Sequence, residues 1–352
     1  MLSFVHPSHI TRLNSTWQLW NKVLMGKRFF SGAVSIKTVE QSPFWSRSLK
    51  QLLGSSVFSE KHLVSGKSTV RDALEQMEKV DMSIVAVTGT QNEWLGIFSE
   101  RDLIRLIAKG GNINTTHVRD ALSKKEGIAT CSLDQRVSDL GKIFSTQNVQ
   151  NVVVVKESSS HNSVHDLAGL ITSRELAQYF HSLEPDVVEE FEHILVKDML
   201  DHNKNKVHER LNEQSILAME LSSPVKDAVQ LMAKYGVGCV MITSDHSKGA
   251  LHPYPDIVGM FTEREYIRNC LLKGKDKDSC RVGDVMQSHM ALVTPEFSAA
   301  QFIRLFADSH VRYLPVFSTG PEDAQDNTSM CLGLFSIKDV FSYCFQVVQR
   351  RS

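Results

Sequence analysis

Gly96-Ile97-Phe98-Ser99-Glu100-Arg101-Asp102 places a glycine, two apolar residues and a hydroxyl ahead of a carboxylate three positions on. The same order returns at Gly169-Leu170-Ile171-Thr172 with Glu175, at Gly259-Met260-Phe261-Thr262 with Glu265, and at Gly333-Leu334-Phe335-Ser336 with Asp339. A strand that ends on a hydroxyl and turns into a helix fits this order. The Ser or Thr accepts a free N–H of the first helical turn, and the acid reaches back to the cap.

Upstream of each turn lies a helix with apolar residues at i, i+3, i+4 and i+7. These stripes are Val70/Ala73/Leu74/Met77, Val137/Leu140/Gly141/Phe144, Val225/Ala228/Val229/Met232 and Ala299/Phe302/Ile303/Phe306. Start signals stand at Ser68 or Thr69, at Asp134, at Ser222 or Ser223 before Pro224, and at Pro295 or Ser298. An apolar strand follows each helix: Ile84–Val87, Val152–Val155, Cys239–Ile242 and Leu314–Phe317. Each unit opens on a related short segment, beginning at Leu49, Val118, Val196 and Val282. The unit therefore reads opener, helix, strand, loop, strand, helix, and it occurs four times in register. Glu100-Arg101 and Glu263-Arg264 mark units one and three as the more similar pair, as a duplicated two-unit module would. Repeats are expected over residues 45–112, 113–182, 188–276 and 277–348. A unit of two helices and a strand pair is too small to bury its own faces, so one should pair with two and three with four, each half folding as a unit.

This pattern resembles the CBS domain, named for cystathionine β-synthase, over roughly residues 45–348. The marks are the Val-x-Asp-x-Leu/Met openers and the four Gly-apolar-apolar-Ser/Thr turns, and the second half is similar to mitochondrial and bacterial CBS-pair proteins. The resemblance implies an α/β (α+β) fold of four tandem CBS repeats, each a small sheet with two packed helices, paired into two Bateman modules. It also implies clefts between repeats that hold AMP, ADP, ATP or a related adenosyl ligand.

Such a turn suits a nucleotide, since a helix N-terminus favours a phosphate and a carboxylate one turn in can accept both hydrogen bonds of a ribose diol. Ser99, Thr172, Thr262 and Ser336 are the candidate phosphate hydroxyls, and the resemblance carries the ribose role to Asp102 and Asp339. Glu175 and Glu265 reach one methylene further. For phosphate charge, Arg312 stands where relatives carry a basic contact, with Arg101, Arg264 and Lys338 as nearer alternatives. The same Ser/Thr-x-x-Asp/Glu pattern is also a capping box that needs no ligand.

Composition narrows the function classes. Apolar residues make up 42% and charged residues 22% of 352 positions, and the formal net charge is −1. A basic field for nucleic acid or an anionic membrane is missing, and no uninterrupted apolar run reaches the length of a membrane span. The six cysteines show no C-x-x-C spacing and are expected to be buried, reduced thiols, so no metal site is assigned. P-loop, H-E-x-x-H and G-x-S-x-G motifs are absent, and no catalytic residue or catalytic cofactor is assigned. The expected function is non-enzymatic regulation of a separate partner protein, with homo-oligomer formation left open. Alternatives are a γ-like subunit of an AMP-activated protein kinase, a ligand-free interaction scaffold and a weak nucleotide hydrolase.

Residues 1–36 read as a mitochondrial-type transit peptide, which places the protein in the matrix. No acid precedes Glu40, while Arg12, Lys22, Lys27, Arg28 and Lys37 are basic, and Leu13, Trp17, Trp20 and Leu24 share one helix face.

Overall fold

The computed structural model describes residues 44–53, 58–124, 127–147, 149, 151–156, 163–172, 175–176, 178–179, 191–202, 216–245, 257–291, 293–309, 311–318 and 331–350. The leader and the charged stretch between the halves, up to residue 190, lie outside them.

Each repeat forms its own small sheet. In the first, β1 (Leu63–Ser65) runs parallel to β2 (Ile84–Thr88), which pairs antiparallel with β3 (Trp94–Ser99), and β4 (Ser123–Lys124) adds to the β3 edge. The second sheet repeats the order with β5 (Thr130–Ser132), β6 (Val152–Val155) and β7 (Leu167–Ile171). The third does so with β8 (Ala218–Glu220), β9 (Cys239–Thr243) and β10 (Ile257–Thr262). In the fourth, β11 (Tyr313–Phe317) pairs with β12 (Cys331–Ser336), and a single parallel bridge from Val293 to Val316 stands where the first strand would be. Strands β2, β6 and β9 are buried through most of their length, which is why they read as continuous apolar runs without alternation.

The helices before these strands follow the apolar stripes. They are α1 (Val70–Lys79), α3 (Val137–Thr146), α4 (Val225–Tyr235) and α5 (Ala299–Ser309). All sixteen stripe residues point inward: the fifteen with side chains bury them, and Gly141 lies on the buried face of α3. Thr69 caps α1 by accepting the Asp72 N–H, and Ser298 caps α5 by accepting the Gln301 N–H at 3.1 Å. Two expected starts move. α3 begins after Arg136 and not at Asp134, because the Asp139 carboxylate takes the Arg136 N–H at 2.9 Å. α4 is preceded by Pro224 itself, whose fixed φ and missing N–H suit the edge of a helix. α4 stops at Gly236, whose φ of +62° is left-handed and suits glycine.

Two helices follow the repeated turns as regular elements, α2 (Glu100–Ala108) and α6 (Ile337–Gln349). The third turn differs: a short α-helical start at Glu263–Glu265 widens into a π-helical turn over Tyr266–Leu271.

The openers are exchanged within each pair. Leu49 and Lys50 donate their N–H groups to Gln135 and Leu133 of the second repeat, while Val118 donates to Ser68 of the first. In the second half, Val196 donates to Phe297 and Val282 to Ser223. Boundaries drawn at the openers follow the chain, whereas in space each opener seats itself on the partner repeat.

Sheet faces join one with two: Ile84, Ala86, Trp94 and Ile97 share a core cluster with Val153, Val155, Leu167 and Leu170. Cys239, Met241 and Met260 likewise meet Tyr313 and Leu334, joining three with four. Helix faces then join the modules. Leu74, Met77, Leu103 and Ile104 share one cluster with Val229, Met232 and Ile267, so repeat one packs on three. Repeat two packs on four through α3 and α6, with an aromatic group of Phe44, Trp45, Phe144, Phe191, Phe341 and Phe345 between them. Gly141 permits that approach, since a Cβ there would meet the Phe345 ring at 2.5 Å and the Trp45 ring at 3.0 Å.

Candidate functional site

All four turns join the hydroxyl to the carboxylate three residues on, and those at Ser99 and Ser336 close as full capping boxes. Ser99 donates its N–H (2.9 Å) and hydroxyl (2.6 Å) to one oxygen of Asp102, and Ser336 does the same to Asp339 at 2.8 and 2.6 Å. Thr172 donates its N–H to Glu175 at 2.9 Å and its hydroxyl to the same carboxylate. Thr262 donates its hydroxyl to Glu265. Glutamate thus reaches the hydroxyl across the turn as aspartate does. Asp102 is buried, and its second carboxylate oxygen lies 3.5 Å from Arg105.

Residues of all four turns line one cleft. Ser99, Thr172 and Ser336 reach its wall, and so do Arg101, Arg264, Arg312 and Lys338. Asp102, Glu175, Thr262, Glu265 and Asp339 do not line it. Residues 82–83 and 151, each just ahead of a central strand, complete it together with Asp81 and Tyr313. Such convergence follows from the topology, because sheet pairing brings two strand-to-helix turns together and helix packing brings the two modules face to face.

The sequence did not single out the acids of this cleft. Glu100 and Glu263 are the first helical residues after Ser99 and Thr262 and are 3% and 4% exposed, a degree of burial that demands charge partners. Arg101 binds Glu263 at 2.9 Å and donates to the Gly236 carbonyl at 2.7 Å. Arg264 lies 3.8 Å from Glu100 and 3.2 Å from Asp81, and Arg312 pairs with Glu100. The Glu-Arg dipeptides of repeats one and three therefore cross, each arginine facing the other repeat's glutamate. Their duplication was visible in the sequence, but which repeats face each other was not. Further out, Arg268 holds Glu78 at 2.6 Å and Asp81 at 2.9 Å.

Burial works to lower the Arg101 pKa, but the Glu263 carboxylate outweighs it and the net shift is upward. Burial pulls Arg312 down to about 10, which leaves it charged at neutral pH. Burial, with Glu263 behind it, pushes the Tyr313 phenol up and keeps it neutral. Tyr313 comes close because residue 238 is glycine: a Cβ there would stand 2.3 Å from its hydroxyl and 2.8 Å from Glu263. The cleft can thus place four cations and several helix N-termini around an anion, while its own acids neutralise much of that field. Among the described residues no three His, Cys, Asp or Glu side chains gather to hold a metal ion, and no helix is long and apolar enough to cross a membrane.

The family model of the CBS domain matches residues 59–109 and 282–345. With the paired sheets and repeated turns above, this defines the chain as a CBS-domain protein with its CBS repeats in pairs. It is 32% identical over 94 residues to the CBS domain-containing protein CBSX3, mitochondrial, of Arabidopsis thaliana, which covers 26% of this chain and 43% of that protein. An uncharacterised protein of Methanopyrus kandleri is 22% identical over 121 residues, covering 34% of this chain and 54% of the relative. The matches thus span about half the length of these curated relatives. Among solved structures, a Methanocaldococcus jannaschii protein described as a candidate archaeal homologue of g-AMPK superposes with a TM-score of 0.61 at 16% identity. That superposition covers 84% of this chain and 99% of that one, and it shows the same fold.

Proposed function

We propose that this CBS-domain protein is a non-enzymatic regulator that binds an adenosine nucleotide between its repeats and modulates a separate partner protein. The observation that carries the reading is the gathering of Ser99, Thr172, Ser336 and the cations Arg101, Arg264, Arg312 and Lys338 on one cleft wall. Cations around helix N-termini favour phosphate through charge-assisted hydrogen bonds. The ribose role is assigned to the carboxylates of Asp102 and Asp339, one turn in from their cleft-lining hydroxyls, and Glu175 and Glu265 would serve the other two turns in the same way. A location in the mitochondrial matrix is part of the proposal, supported by the basic, acid-free leader and by the name of the Arabidopsis relative.

Calorimetry with AMP, ADP and ATP tests it. Arg312→Ala should weaken ATP by about tenfold or more, the worth of one charged hydrogen bond, and AMP by less. Asp339→Asn keeps a capping acceptor but loses charge toward the ribose, so it should weaken all three nucleotides alike. Equal affinities in wild type and both variants would remove these residues from the site.

A further inference from the structure

Glu100 lines the cleft among the arginines that an anionic ligand would need. Its carboxylate sits at the first position of α2, just past the Ser99 cap, and is 3% exposed. It pairs with Arg312 of the fourth repeat and faces Arg264 of the third at 3.8 Å. One internal carboxylate from repeat one therefore holds cations from both repeats of the other module. The adjacent Arg101 is not saturated: its Nη2 is buried and has no hydrogen-bond partner among the described residues. A helix start, two arginines from other repeats and an unused donor all converge within the same wall.

We infer that Glu100 is a built-in competitor that clasps the central cleft, and that a di- or triphosphate group opens it by taking Arg312 and Arg264 from the Glu100 carboxylate. This rests on the nucleotide reading above only for the identity of the anion. Removing a buried carboxylate leaves the arginines it neutralised facing the cleft, where an added anion meets one competitor fewer. Ligands with more phosphate charge compete better with Glu100, so the clasp sets a threshold that favours polyphosphates over monophosphates. Because Glu100 and Arg312 lie on different modules, exchanging their bond for a phosphate also alters how the modules are held together.

The test is calorimetry of the full chain with inorganic tripolyphosphate, which has no adenosine. Glu100→Gln should bind it about ten- to a hundredfold more tightly than wild type, the range expected for a charged hydrogen bond released to the ligand. Adding Arg312→Ala to Glu100→Gln should remove that gain. Should Glu100→Gln not fold, Glu100→Asp keeps the charge, draws it back by one methylene and should show a smaller gain of a few fold. No gain in any folded Glu100 variant overturns the clasp, and so does a gain that survives loss of Arg312. A parallel titration with AMP and ATP separates the two ideas. A tripolyphosphate gain without nucleotide binding keeps the clasp and refutes the nucleotide reading. Nucleotide binding unchanged by Glu100→Gln, with no tripolyphosphate gain, does the reverse.

Discussion

Ser99 and Asp102 show how a single motif serves two ends. Their hydrogen bonds close a capping box, and the same turn puts the Ser99 side of that box on the wall of the central cleft. The repeated turn was legible in the sequence because its residue types are fixed by helix-start chemistry. Glu100 was not, since its partners Arg312 and Arg264 are 212 and 164 positions away and no local pattern announces such a pairing. The cysteines were legible as small buried residues. Five of the six are buried and only Cys280 is half-exposed. Burial raises Cys131, Cys270 and Cys331 to about 12 and pushes Cys239 and Cys344 up as well. A raised thiol pKa leaves little thiolate at pH 8. Iodoacetamide at that pH should therefore label Cys280 first, read by peptide mass spectrometry. Rapid labelling of Cys344 in the folded protein would contradict this burial.

At the scale of elements, helix stripes and buried strands were readable because burial writes a period into the sequence. Exchange of the openers was not, because it rests on backbone hydrogen bonds such as Val118 to Ser68, which any side chain permits. Nor was the π-helical turn after Glu265, which no residue type signals. Phe44 and Trp45 precede the first opener and carry no motif, yet both are fully buried. Trp45 packs its ring against Phe341 at a tilt and against Phe345 edge-to-face, both with centroids 5.2 Å apart, and lies over Gly141. The segment works as an aromatic plug between repeats two and four. Trp45→Ala should cost about 3–5 kcal/mol, as large aromatic truncations in cores do. Urea unfolding reads this as a lower midpoint at unchanged slope. A variant within about 0.5 kcal/mol of wild type, the range of a surface substitution, would show that the plug contributes little.

For the whole molecule, pairing one with two and three with four follows from the small size of each unit, and the shared sheet clusters agree with it. The expectation that each half folds by itself meets a cost the sequence did not show. Leu74, Met77, Val229 and Met232 belong to one cluster across the modules, so a separated half would bare that face to water. An apolar stripe says that a helix is buried and not which repeat buries it. The second packing also creates the function proposed here, because only two modules face to face bring all four turns to one cleft. The central claim is that this cleft holds an adenosine nucleotide, and native mass spectrometry of the protein in a mixture of AMP, ADP and ATP tests it most directly. The account predicts a folded species heavier by the mass of an adenosine nucleotide, with that adduct reduced in Arg312→Ala. A spectrum holding only the unliganded mass, across all three nucleotides, would contradict it.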